Sequence, residues 1–146
     1  MPATLYQRPD LGAIYLPVGQ MLQIDRVLES TNGRIVGEMD IGSHWAFPMH
    51  FPTDPIFPGC LLIEAAGQLV AIWAWRAGLR GKPRMAKVSA EFKDAIVPGD
   101  AVITLTATVN MRRHICLGTV ELTTRNRPVA TVKPVIVIVA DANGIS

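Results

Sequence analysis

The stretch PGCLLIEAAGQLVAIWAWRAGL, residues 58–79, decides the fold of this chain, because it is the one long helix that the sequence predicts. Pro58 and Gly59 open it, no later proline interrupts it, and few of its residues are β-branched. We expect residues 61–79 to be helical, with Gly78 close to the end. The helix is apolar on nearly every side, so it has to be buried on several sides.

Alternating apolar and polar residues predict β-strands on both sides of this helix. Before it, strands at residues 21–30 and 34–41 form a hairpin around the turn Asn32-Gly33. Residues 1–20 are rich in proline and glycine and predict an irregular lead-in. After the helix, four strands are predicted at residues 85–95, 101–111, 116–124 and 129–140. This order predicts one α+β domain over residues 1–146, an antiparallel sheet wrapped around the helix.

The composition excludes several classes of protein. Of the 146 residues, 49% are hydrophobic and 18% charged, and the net charge of +2 is too small to indicate nucleic acid or an anionic membrane as partner. Residues 60–75 are the most apolar stretch, but they are too few to span a bilayer comfortably. Cys60 and Cys116 make no disulfide framework, and residues 1–20 show no export signal, so we expect a cytoplasmic protein with free thiols.

Two side chains near the helix start are candidates for acid–base chemistry. His50 lies in the long aromatic-rich loop 42–58 and is a candidate base, since histidine is largely neutral at pH 7. Glu64 is a candidate acid, because a carboxyl among apolar residues holds its proton more readily. Gln68 lies over the same helix face and could orient it. A lone histidine or a lone carboxylate on a helix could also have a purely structural role. The succession of histidine, Pro-Gly helix start and carboxylate along the chain favours a catalytic role.

The helix start itself offers a site for a negatively charged oxygen. The backbone N–H groups of Gly59 and Cys60 have no partner within the helix, and the positive end of the helix dipole lies behind them. Together with a base and an acid, they provide the three functions needed to remove a proton beside a carbonyl and a hydroxyl as water. His44 and His114 have no partner at metal-ligand spacing, so no metal and no cofactor is expected.

This loop and helix resemble a known family. The pattern HFPxxPxxPGxLxxEAxxQ at residues 50–68 is similar to the signature of the β-hydroxyacyl-acyl carrier protein dehydratases of type II fatty acid synthesis. Upstream, LPxxxMLxxDRV at residues 16–27 is similar to the first strand of that family. The resemblance covers roughly residues 16–110 and fades in the last strands. It implies a hot-dog fold, a homodimer, and two active sites at the interface, each with its histidine from one subunit and its acid from the other.

By residue-to-residue carry-over, the resemblance implies dehydration of (3R)-3-hydroxyacyl-acyl carrier protein thioesters to trans-2-enoyl thioesters. His50 would be the base, Glu64 the acid, and Gly59 or Cys60 the donor to the thioester oxygen, with Gln68 as the orienting residue. The implied acyl tunnel is lined by Phe47, Met49, Phe57 and Leu61. An acidic carrier protein would meet a basic surface for which the candidates are Arg76, Arg80, Lys82 and Arg84, with Lys87, Arg112 and Arg113 as others.

The signature is mixed, which leaves several readings open. Residues 53–55, 58–61 and 68–70, with Trp75, lean toward the branch that both dehydrates and isomerises, whereas Glu64 follows the branch that only dehydrates. Met49 stands where the family usually has glycine. Isomerisation therefore stays open, and a specialised polyketide or aryl-polyene pathway is suggested beside fatty acid synthesis. The alternatives are a hot-dog thioesterase, which the histidine loop disfavours, and a non-catalytic acyl-binding subunit.

Overall fold

The computed structural model describes residues 4–140. A seven-stranded antiparallel sheet with strand order β1-β2-β3-β5-β6-β7-β4 wraps around a single helix, α1, at Gly59–Arg76. The predicted α+β hot-dog arrangement is confirmed. Short 3-10 turns lie at Arg8–Ala13, Gly19–Met21 and Pro98–Asp100. The strands are β1 (Tyr6–Gln7), β2 (Arg26–Thr31), β3 (Arg34–Asp40), β4 (Lys82–Phe92), β5 (Val102–Arg112), β6 (Ile115–Thr124) and β7 (Arg127–Val139).

The helix forms the centre of the core, as its apolar sequence predicts. Twelve of its eighteen residues are buried, and Gln68 is the one polar side chain among them. The helix ends three residues before the predicted Leu79, because Gly78 adopts a left-handed conformation with φ of 100°. The Leu79 N–H then turns back to the carbonyl of Ala74 at 3.0 Å and closes the last turn. These bonds satisfy carbonyl groups that the helix end would otherwise leave unpaired.

The first strand of the hairpin begins later than the sequence predicts. The sequence predicts a strand over residues 21–30, but β2 starts only at Arg26. The reason is that the carbonyl of Met21 and the N–H of Gln23 bond the side chain of Gln68 on α1. Backbone groups bonded to a helix side chain cannot take part in a sheet ladder. The hairpin turn itself is confirmed, since Thr31 pairs with Arg34 across it.

The remaining strands lie where they were predicted, with ends shifted by at most three residues. The sequence did not predict strand β1. Tyr6 and Gln7, in the segment predicted to be irregular, pair with Val27 and Arg26. Two residues are too few to show an alternating pattern, so no sequence signal marks this strand.

Strand β4 leaves one edge of the sheet open. It pairs with β7 along ten registered residues, and no other described strand pairs with it. Most of its eleven residues are exposed, including the apolar side chains of Met85 and Phe92. A long edge strand with exposed apolar residues is a ready template for pairing with another chain.

A partly buried ion pair fixes the segment that follows β4. The guanidinium of Arg127 donates to both carboxyl oxygens of Asp100 at 3.1 Å, to Asp94 at 2.8 Å and to the carbonyl of Ala95 at 3.1 Å. The Asp100 side chain is only 3% exposed. Hydrogen bonding from Arg127 lowers the pKa of Asp100, against the opposing effect of burial. The segment held in this way, residues 93–96, borders a cavity described below.

We expect Asp100→Asn to lower the free energy of unfolding by about 2 kcal/mol at pH 7, since a charge-assisted bond is lost in a buried site. Because the folded protein lowers the pKa of this carboxyl, the contribution is fully present above its unfolded value of about 3.9 and is lost as the pH falls through the folded value. Thermal unfolding from pH 7 to pH 2 should show the two proteins converging below pH ~4. Asp10→Asn, at an exposed turn, is the control. A pH-independent difference between Asp100→Asn and the unmutated protein would contradict this account.

Candidate active site

His50 is held with one ring nitrogen free. Its Nδ1 lies 2.9 Å from the carbonyl oxygen of Ile56, which can only accept, so Nδ1 carries the hydrogen in the neutral ring. The N–H of Ile56 returns a bond to the carbonyl of His50 at 2.8 Å. The ring of Phe51 stacks on the imidazole with centroids 4.1 Å apart. Among the described residues Nε2 has no partner, so it keeps a lone pair that can take a proton.

A cavity of about 520 Å³ lies between the loop that carries His50 and the start of the helix. His50 and Gly59 both line it, and no described group accepts a hydrogen bond from the N–H of Gly59 or Cys60. The structure therefore places a potential base and a potential oxyanion donor in one cavity. Its other walls come from Ile56, Phe57, Leu62, Phe92, Lys93, Asp94, Ala95 and Ile96.

Phe92 is a wall of this cavity that the sequence did not reveal. Its ring covers Gly59 so closely that a β-carbon at residue 59 would lie 2.8 Å from the ring's Cζ atom. Half of the Phe92 side chain is exposed, although it is a large apolar residue. A larger residue at position 59 would therefore require the ring of Phe92 to move. Phe92 is the last residue of β4, and nothing in the sequence of that strand indicates a site residue.

Glu64 lies in a second, smaller cavity of about 150 Å³. Its Oε2 accepts a hydrogen bond of 2.7 Å from Nε2 of Gln68, the contact that the four-residue spacing suggested. The carboxyl is partly exposed to the cavity, and Gln68 behind it is buried. The other walls are Leu16, Pro17, Gly67, Ala71, Pro83, Met85 and Ile136.

Within one chain the two candidate catalytic side chains are not brought together. His50 lines the cavity beside the helix start, Glu64 lines the cavity beside β4, and the two lists of lining residues share no member. Within one chain, His50 and Glu64 therefore border different cavities.

The residues expected to line an acyl tunnel occupy different surroundings. Phe57 lines the cavity that contains His50. Phe47 and Leu61 are buried in the hydrophobic core, and Met49 is 64% exposed. These three residues do not border either of the two candidate cavities in the single chain.

The four cationic residues expected to receive a carrier protein divide into two pairs. Arg76 is the last residue of α1, about 25 Å from Gly59 along the helix axis, and Arg80 follows in the turn after the helix. Arg76 donates to the hydroxyl of Tyr6, and Arg80 stacks on the ring of Trp75.

Lys82 and Arg84, the second pair, flank Pro83, which lines the cavity of Glu64. Because successive side chains of a strand point to opposite faces of the sheet, those of Lys82 and Arg84 leave the face opposite to Pro83, although their backbone adjoins the cavity.

Residues 4–140 contain neither a cluster of metal-ligand side chains nor a membrane-spanning helix. No three histidine, cysteine, aspartate or glutamate side chains of this part of the chain are grouped as metal ligands would be. No helix there is both long enough and apolar enough to cross a membrane.

The fold and these cavities define a hot-dog protein with acid–base groups around its central helix. A sequence model of the FabA-like domain matches residues 16–133, so the chain belongs to the FabA-like family. The resemblance to hot-dog dehydratases is thereby confirmed at the level of the family.

Solved structures with the same fold include both dehydratases and thioesterases. The dehydratase heterocomplex ApeI:P from Xenorhabdus doucetiae has a TM-score of 0.72 at 13% identity, over 90% of this chain and 92% of that one. A hypothetical thioesterase from Streptococcus pneumoniae TIGR4, solved with coenzyme A, has a TM-score of 0.61 at 14% identity, over 79% and 88%. Zebra fish thioesterase superfamily member 2 has a TM-score of 0.61 at 16% identity, over 78% and 80%. At these identities the likeness shows the fold alone.

Proposed function

We propose that this protein removes water from (3R)-3-hydroxyacyl thioesters carried by an acyl carrier protein and forms trans-2-enoyl thioesters. The observation that supports this most is that one cavity is lined by both His50, whose Nε2 has no partner among the described residues, and Gly59, the first residue of the helix. A base next to an oxyanion donor suits removal of the proton beside a thioester carbonyl. FabA-like family membership agrees with the same chemistry.

In the proposed reaction Nε2 of His50 takes the proton from the carbon beside the carbonyl. Negative charge then builds on the thioester oxygen, where the N–H of Gly59 or Cys60 and the positive end of the helix dipole stabilise it. Glu64 donates a proton to the departing hydroxyl, which leaves as water. The reaction ends with protonated His50 and ionised Glu64, so a proton has to pass back through solvent before the next turnover.

The complete site is proposed to form between two copies of the chain. His50 and Glu64 line separate cavities in one chain, and the open edge of β4 lies beside the cavity of Glu64 through Pro83 and Met85. Pairing of two such edges would extend the sheet across a dimer and cover Met85 and Phe92. Each dimer would then contain two sites, with the histidine from one chain and the acid from the other.

The carrier protein is proposed to approach from the side of Lys82 and Arg84, beside the cavity of Glu64. Carrier proteins of this kind are acidic, and opposite charges would guide their approach. The acyl group that the protein binds would determine its pathway, which is fatty acid, polyketide or aryl-polyene synthesis. Double-bond isomerisation depends on the same acyl group.

Thioester hydrolysis is the second candidate function. A carboxylate on the central helix that faces a cavity could activate water, and thioesterases are among the solved structures with this fold. The His50 arrangement has no evident task in that reaction. A non-catalytic acyl-binding subunit would leave the free nitrogen of His50 and the held carboxyl of Glu64 without a task as well.

One assay separates these functions. The purified protein is incubated with 3-hydroxyacyl thioesters of several chain lengths, on carrier protein and on a pantetheine analogue, and the product masses are read. Loss of water supports the proposed dehydration, whereas release of the free acid supports the thioesterase. Recovery of unchanged substrate at all chain lengths would leave the non-catalytic subunit as the better account. The position of the double bond in any product tests isomerisation separately.

Mixed dimers test the shared site. Chains carrying His50→Ala and Glu64→Ala, each with a different affinity tag, are co-expressed and the doubly tagged dimers are isolated. If each site takes its histidine and acid from different chains, one of two sites is intact and about half of the dimer's activity returns.

The reciprocal control pairs an unmutated chain with a chain carrying both substitutions. Sites shared between chains would then both be broken, and activity should be near zero. Half activity in this control, with none in the first mixture, would place both residues of a site in the same chain and overturn the proposed arrangement.

A further inference from the structure

The carboxamide of Gln68 is fixed in one orientation by its partners. Its oxygen accepts from the backbone N–H of Gln23 at 2.8 Å. Its nitrogen donates to the carbonyl of Met21 at 2.7 Å and to Oε2 of Glu64 at 2.7 Å. A flipped amide would face its oxygen toward two acceptors and its nitrogen toward a donor. Both amide hydrogens are used, so the group is fully paired in its buried position.

This arrangement distinguishes the two oxygens of Glu64. Oε2 is an acceptor from Gln68, so a proton placed on it would compete with that hydrogen bond. Among the described residues Oε1 has no hydrogen-bond partner. When the carboxyl is protonated, the hydrogen therefore belongs on Oε1, the oxygen left available to a substrate hydroxyl.

Gln23, which supplies the N–H to Gln68, is itself held on all sides. Its side-chain nitrogen donates to the carbonyls of Gln20 at 2.8 Å and Met21 at 3.2 Å. Its side-chain oxygen faces Nε2 of His44 at 3.0 Å. Gln23 is 2% exposed, and each polar group of its buried amide has a hydrogen-bond partner. A buried network whose groups are all paired holds its side chains in one arrangement.

His44 ends this chain of hydrogen bonds in a defined tautomer. Its Nδ1 accepts from the N–H of Ala46 at 3.1 Å, so the hydrogen lies on Nε2 and is donated to Gln23. Burial lowers the pKa of His44, in agreement with a neutral ring. The ring also packs edge-on against Phe57 with centroids 4.8 Å apart, which joins the network to a wall of the His50 cavity.

We propose that Gln23 and His44 are positioning residues for Glu64. Through Gln68 they hold its carboxyl with Oε2 as acceptor and Oε1 free to deliver the proton to the departing hydroxyl. This inference rests on the proposed dehydration. The two residues touch neither substrate nor reacting atoms, and they act through the orientation of a side chain that does.

The test uses Gln23→Met, which keeps the side-chain volume and the backbone N–H that bonds Gln68. It removes the side-chain amide that bonds His44 and the carbonyl of Met21, which is itself a partner of Gln68. We expect kcat for dehydration to fall about tenfold with KM changed less than about twofold, because a misoriented acid affects the transition state rather than substrate binding. In parallel, NMR of the side-chain amides should show the two Nε2 hydrogens of Gln68 resolved and slowly exchanging in the unmutated protein. They should move toward the shifts of a solvated amide in the variant.

Gln7→Met makes the same chemical change in exposed strand β1 and should leave both measurements unaltered. His44→Phe, which keeps the ring packing and loses the donor, should repeat the loss, and His44→Gln, whose amide nitrogen reaches the place of Nε2, should recover most of it. Unmutated kcat and Gln68 signals in both Gln23→Met and His44→Phe would overturn the inference. If the unmutated protein dehydrates no thioester, the proposed function fails instead, and the amide signals still show whether Gln23 and His44 hold Gln68.

Discussion

Replacing His50 by alanine is expected to lower kcat/KM for dehydration by about 1,000-fold, within the range that general acid–base groups contribute. In the proposed mechanism, the bond from Nδ1 to the carbonyl of Ile56 leaves Nε2 as the nitrogen that takes the proton. No other described imidazole or carboxyl borders this cavity except Asp94, which is bonded to Arg127. Kinetics on a 3-hydroxyacyl thioester, with circular dichroism to confirm folding, measure the effect.

The matched control is His114→Ala, which removes an exposed histidine at the turn between β5 and β6. It should retain activity close to that of the unmutated protein. Retention of more than about a tenth of the activity by a folded His50→Ala protein would show that another group takes the proton.

Glu64→Gln is the second substitution with a large expected effect, again a loss of about 1,000-fold in kcat. An amide of the same shape can still accept the hydrogen bond from Gln68, but it has no acidic proton to give to a leaving hydroxyl. We therefore expect KM to change little, as for a group that acts in the transition state.

Glu29→Gln in the β2–β3 hairpin provides the control, since it changes an exposed carboxyl whose ionic partner is Arg34. A substrate whose 3-substituent leaves without protonation gives a further comparison. Glu64→Gln should be nearly as active on it as the unmutated protein, and an equal loss on both substrates would show that Glu64 is not the proton donor.

The helix and the hairpin could be predicted because their signals are local. The backbone preferences of Pro58 and Gly78 mark the two ends of the helix. In the same way, Asn32-Gly33 determines the turn of the β2–β3 hairpin. The start of β2 could not be predicted, because it depends on the hydrogen bonds that Gln68 makes from a distant part of the chain. Long-range pairing of this kind leaves no period in the sequence.

The candidate site was predictable in its residue types but not in its arrangement. The pattern around His50 and Glu64 indicated acid–base chemistry, and the bond from Gln68 to Glu64 follows from helix spacing. The separation of the two side chains into different cavities depends on how the loop folds over the helix start. Phe92 reaches Gly59 from strand β4, and this contact between distant parts of the sequence is visible only in the folded chain.

The open edge of β4 links the proposed dimer to protein concentration. If the edge is covered only in the pair, dissociated chains expose Met85, Phe92 and a row of unpaired backbone groups to water. Folding and association then obey mass action, so dilution both destabilises the fold and separates the two halves of each active site. A small change in cellular abundance would alter the activity per chain as well as the total activity.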